Sequence, residues 1–100
     1  MPLNNPYSSS PASTSTTSAT IAASTTSAIL LAANPARKGA SFWNNSNNNL
    51  FIDLDESASA ANHTAKLIPQ GYYELPFNYV GAISGIWDGT SGGCFVREFL

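Results

Sequence analysis

Hydrophobic and polar positions alternate over short stretches of this chain, and no segment repeats its apolar residues at helical spacing. The clearest stretch is Leu50-Phe51-Ile52-Asp53-Leu54. Leu50, Ile52 and Leu54 point one way, and Phe51, Asp53 and Asp55 the other, as in a half-buried strand. The same reading predicts strands over 27–33, 37–44, 63–68, 72–75, 82–87 and 94–100. Asn34-Pro35 ends the first of these, because proline lacks a donor and pushes its predecessor out of helix. The Asn-rich run 44–49 is a turn, since Asn tolerates left-handed backbone and bonds its own main chain. Pro69-Gln70-Gly71 and the stretch Asp88 to Gly93 separate later strands, and Pro76 stops the strand before it.

Six to seven short strands at this spacing predict an all-β fold, a small antiparallel β-sandwich or barrel. The expected core is Ile29, Leu31, Phe42, Leu50, Ile52, Leu54, Leu67, Tyr73, Leu75, Ile83, Ile86, Trp87 and Val96. Alternation does not choose the inward face where both neighbours carry bulk, as in Phe42-Trp43, Tyr72-Tyr73 and Phe95-Val96. Apolar bulk on both faces of strands in so small a body points to a second covering surface supplied by another subunit.

The start of the chain reads differently. Residues 1–28 hold eight Ser and six Thr, and the first charged side chain is Arg37. Such a segment buries too little apolar surface to offset its own ordering entropy. The division that follows is a long extended N-terminal arm over 1–28 and a folded body over 29–100. Ser and Thr suit an arm laid on a partner, because small hydroxyl side chains allow close backbone approach and Thr tolerates a strand.

Charge and chemistry narrow the function classes. Four Lys+Arg against six Asp+Glu give a net charge of −2, without the basic clustering that nucleic-acid binding requires. The longest apolar run, Ala28 to Ala33, is too short to span a membrane, and the N-terminus lacks the pattern of a signal peptide. Cys94 is the only cysteine, which excludes an internal disulfide; with His63 as the only histidine, a zinc site is not expected. A body of about 65–70 residues sits near the lower limit for one stable core, which leaves oligomerisation as the remaining support. Asp53 and Asp55 share a strand face but no calcium-loop spacing follows, and a solvated face explains them. His63 has no Gly-x-Ser-x-Gly nucleophile to serve. The glycines of 89–93 lack the lysine of a phosphate loop. No catalytic residue, cofactor or metal is expected.

The aromatic load is more informative. Core packing accounts for part of it, and the rest suits an interface, where Tyr and Trp are favoured. Candidate interface residues are Tyr7 and Ile21 on the arm, and Arg37, Trp43, Tyr72, Phe77 and Tyr79 on the body.

Three stretches carry a likeness: Asn34-Pro35-Ala36-Arg37-Lys38-Gly39, Gly71-Tyr72-Tyr73-Glu74-Leu75-Pro76 and Gly81-Ala82-Ile83-Ser84-Gly85-Ile86-Trp87. Together they resemble a family of small β-sandwich virion proteins of tailed bacteriophages, over about residues 29–100 and not the arm. The resemblance implies a non-enzymatic structural protein of the virion, assembled in the host cytoplasm. Its leading role would be capsid decoration (cement), as a homotrimer on the major capsid protein. A tail, neck or fibre-attachment subunit bound to other virion subunits is the alternative, and a carbohydrate-binding module a more distant one. Arg37 would then pair between subunits or at a strand edge.

Overall fold

The computed structural model describes residues 12–100. The strands are β1 (Thr16–Ala22), β2 (Ala28–Leu31), β3 (Gly39–Asn45), β4 (Leu50–Asp53), β5 (Ala65–Leu67), β6 (Tyr72–Glu74), β7 (Ile83–Trp87) and β8 (Gly93–Phe99). All pairings are antiparallel. They build two four-stranded sheets, sheet A in the order β1-β8-β3-β6 and sheet B in the order β2-β7-β4-β5. No helix occurs among the described residues.

The sheets face each other across one apolar cluster. Sheet A contributes Ala40, Phe42, Cys94 and Val96, and sheet B contributes Leu30, Leu50, Ile52, Leu67, Ile83 and Trp87. The period-2 pattern of β4 is met: Leu50 and Ile52 are fully buried and Phe51 and Asp53 half-buried. Burial of this kind contributes roughly 1.5–3 kcal/mol per large side chain, which is the main driving force for so small a fold.

Expectations about the core change in β2 and β7. In β2 the inward residue is Leu30, and Ile29 is 46% exposed. Gly85 decides this phase, because a Cβ there would lie 3.0 Å from Cδ1 of both Leu30 and Leu50. The missing side chain makes the space that Leu30 fills. A register shift between Ile29 and Leu31 accompanies it. In β7, Ile86, expected in the core, faces away from it between inward Gly85 and Trp87; in β8, where alternation left the choice open, Cys94 and Val96 turn inward and Phe95 turns out.

The larger correction concerns the arm. Thr16–Ala22, expected to extend away from the body, forms the edge strand β1 on β8 and brings the strand number to eight. Docking starts before the strand: the Ser13 hydroxyl donates to the Leu100 carbonyl at 2.8 Å, and Thr14 N–H to the same oxygen at 3.1 Å. Only Ile21, among the residues of β1, packs against the core, followed by buried Ala23. Main-chain hydrogen bonds, not side-chain burial, therefore hold β1 in place. Tyr7 lies outside the described residues.

Turn chemistry sets the connections. Gly92 takes a positive φ of 82°, and a Cβ there would sit 2.5 Å from the Asn45 carbonyl oxygen. Gln70 takes φ 67° after Pro69, closing a turn in which Gly71 N–H donates to Ile68 O at 2.8 Å. The Asn-rich β3–β4 turn is organised from within: Asn44 is fully buried, and its amide donates to the carbonyls of Asn48, Leu67 and Ile68.

Candidate functional site

Each sheet has an outer face, and the two differ. On sheet B, Ser84, Ile86, Phe51 and Asp53 point away from the core. Residues 54–64 return across them. Ala58 N–H donates to the Ser27 hydroxyl at 2.8 Å, a tie from the β4–β5 connection to the start of β2 that passes over β7. The Thr64 hydroxyl accepts from Leu54 N–H and donates to Asp53, closing the base of the loop. His63 lies against the Phe51 ring at 4.8 Å between centroids. Ser84 is consequently 0% exposed and Ala58 is buried.

On sheet A, pairing aligns Thr20, Phe95, Trp43 and Tyr72 in one row across β1, β8, β3 and β6. The three rings are exposed: Phe95 46%, Trp43 44% and Tyr72 54%. Trp43 and Tyr72 meet edge to face, with centroids 6.5 Å apart, and the Trp43 indole N–H donates to Gln70 Oε1 at 3.1 Å. The adjacent row is polar: Ser18, Arg97, Ser41 and Glu74. Neither Arg97 nor Glu74 forms an ion pair among the described residues. This is an aromatic strip with a polar border, held on a rigid sheet. Its geometry suits burial against a partner, since each ring would lose further surface to water on docking.

Of the residues singled out from the sequence, Trp43 and Tyr72 stand in this strip, and Phe77, also exposed, sits in the loop after β6. Phe95 belongs to the strip and was missed, because Phe95-Val96 offers bulk to both faces. Of the other four, Tyr7 lies outside the described residues and three turn inward. Ile21 packs against the core. Tyr79 is half-buried, and its hydroxyl reaches the carbonyls of Leu54 and Ala82, each at 3.0 Å.

Arg37, expected to pair between subunits or at a strand edge, is 1% exposed and lies inside its own chain. Its Nε donates to Glu98 at 2.8 Å, Nη1 to the carbonyls of Tyr79 and Gly81, and Nη2 to that of Ala32. A turn aims it there: Arg37 N–H donates to Asn34 O, and the Asn34 side chain accepts from Ala36 N–H. One planar guanidinium thus ties the β2–β3 turn, the loop before β7 and strand β8. The Asn34-to-Gly39 stretch is a folding device, and Tyr79 and Gly81 enter it through their carbonyls.

Reactive chemistry is sparse. Burial pushes the Cys94 thiol up to about 12, so it stays protonated and inert near neutral pH. Burial also raises the Tyr73 phenol. Among the described residues, no three His, Cys, Asp or Glu side chains converge where they could hold a metal ion. Ser84 Oγ and Trp87 Nε1 are buried without a hydrogen-bond partner among the described residues.

No family model, no curated protein and no solved structure matches the chain in comparisons with known proteins.

Proposed function

We propose that this chain is a non-enzymatic structural protein of a tailed-phage virion, decorating the head by docking the outer face of sheet A on the major capsid protein. The observation that carries the reading is the exposed row of Phe95, Trp43 and Tyr72, aligned by strand pairing on a face that no described residue covers. Buried aromatic anchors with a polar rim are the usual energetic centre of a protein interface. The small body and the likeness of the 34–39, 71–76 and 81–87 stretches to small phage virion proteins support the same assignment. Three copies around a local three-fold axis of the shell would present three such strips. The segment preceding Ser13 supplies a second, tethered contact in this reading, raising affinity through effective concentration.

The experiment is co-sedimentation of purified protein with particles that lack it. The triple variant W43A/Y72A/F95A should fold and lose binding by at least about tenfold, since each anchor in a hot spot is worth more than about 1 kcal/mol. Full-strength binding by the folded triple variant would overturn the reading. Copy number then separates the head from the tail: hundreds per particle for decoration, tens or fewer for a neck, tail or fibre-attachment subunit.

A further inference from the structure

We infer that the free edge of β1 is a self-association site, at which β1 of a second copy of this chain adds antiparallel and joins two A sheets into one. The inference is independent of the virion assignment.

The free edge can be located residue by residue. Leu100 N–H donates to Ser15 O, and Ala23 N–H to Gly92 O, at the two ends of the β1–β8 ladder. Both contacts fall on odd-numbered residues of the N-terminal segment. In an antiparallel ladder alternate residues exchange main-chain bonds with the neighbour, so Thr17, Ala19 and Ile21 face β8. Thr16, Ser18, Thr20 and Ala22 then aim their N–H and C=O groups outward. Sheet A ends at β1, and no described residue pairs with those groups.

The other three sheet edges carry features that discourage pairing. β6 is three residues long, includes Glu74 and is followed by Pro76. β5 is three residues long, carries Lys66 and is followed by Pro69. β2 has four residues, a register shift and Pro35 beyond its end. Short length, charge, proline and bulges are the means by which proteins keep edges from joining. β1 has none of them: seven residues, Thr-Thr-Ser-Ala-Thr-Ile-Ala, in unbroken register. A long, uncharged, unprotected edge beside three protected ones is what a strand-addition site requires.

The occupant follows from the edge's own chemistry. Turned about Ala19, β1 is complementary to itself. Thr16 falls opposite Ala22 of the second copy, and Ser18 opposite Thr20, so each outward residue meets an outward residue. Every side chain brought together on the outer face is small, hydroxyl pairs can bond across the seam, and no charges oppose. A two-fold contact of this kind uses the same patch on both partners and closes at two copies. The two-fold axis runs perpendicular to the joined sheet, so both aromatic strips lie on one side of it.

The test is backbone amide exchange by NMR together with sedimentation velocity over a concentration series. The expected result is a doubling of mass with concentration, with the amides of Thr16, Ser18, Thr20 and Ala22 becoming as slow as those of Thr17, Ala19 and Ile21. The variant Thr20→Pro removes an outward N–H and leaves the bonds to β8 intact. It should sediment as one copy and keep the odd-numbered amides slow. A single-copy mass at every concentration overturns the inference. So do outward amides that exchange freely in whatever species forms, and a Thr20→Pro variant that folds and still doubles. Slow outward amides at single-copy mass also overturn it, since they place residues 1–11 of the same chain on the edge.

Discussion

On sheet B, Ser84, Ile86, Phe51 and Asp53 face away from the core and residues 54–64 fold back over them; on sheet A, Phe95, Trp43 and Tyr72 face away from the core and no described residue covers them. Among the described residues, the chain therefore roofs one sheet and leaves the other open. The Ala58–Ser27 hydrogen bond ties that roof across the strands, and Ser84 loses all contact with solvent beneath it. Sheet A keeps three large rings in water, at a cost that docking would recover. The difference separates two tasks: sheet B and the interior supply stability, and sheet A supplies surface.

If that separation holds, the largest loss of stability comes from inside. Arg37→Met should cost about 3–5 kcal/mol, because it strands Glu98 and three carbonyls that the guanidinium satisfies. Denaturant titration followed by Trp fluorescence measures this directly. Next in size is the roof. Ala58→Asp places an unpaired charge in a buried position and should cost about 2–3 kcal/mol, while Ser41→Asp on the open face of sheet A should stay within about 0.5 kcal/mol. Equal losses at the two positions would break the comparison.

Alkaline pH probes the interior without a mutation. Burial holds the Cys94 thiol at about 12 when folded, against an ordinary value of 9.0, and raises Tyr73 as well. Unfolding then releases protons that the native state retains. Stability is fully present below about pH 9 and falls as pH rises toward 12, and Cys94→Ala should flatten that fall. The same burial predicts that a thiol reagent at neutral pH labels Cys94 only at the rate of unfolding. The smallest effect is expected at Ser84, whose hydroxyl is buried under the roof without a partner among the described residues. Ser84→Ala should leave thermal stability unchanged or raise it by about 1 kcal/mol.

How much of this could be read from the residues alone depends on what each residue spends its side chain on. Leu50 to Leu54 alternate, and β4 forms where the alternation says. Ile29 and Leu30 are both large, so the strand's phase rests on Gly85, a residue visible only as an absence on a distant strand. β1 left no hydrophobic period because its docking uses main-chain bonds, which Ser, Thr and Ala provide as well as any residue. Arg37 read as a residue pairing between subunits or at a strand edge, and its partners are Glu98 and the carbonyls of Ala32, Tyr79 and Gly81, which sequence spacing does not bring together. Two of the three rings of the aromatic strip were legible, Trp43 and Tyr72. Phe95 was not, because Val96 competes for the same inward position.

The central claim is that sheet A's outer face is the working surface. Hydroxyl-radical footprinting of the free protein and of assembled particles tests it at the side chains themselves. The account predicts that Phe95, Trp43 and Tyr72 lose most of their labelling on assembly, while Ile29, exposed on sheet B, keeps its own. Unchanged labelling of the three aromatics, or protection confined to sheet B, would contradict it.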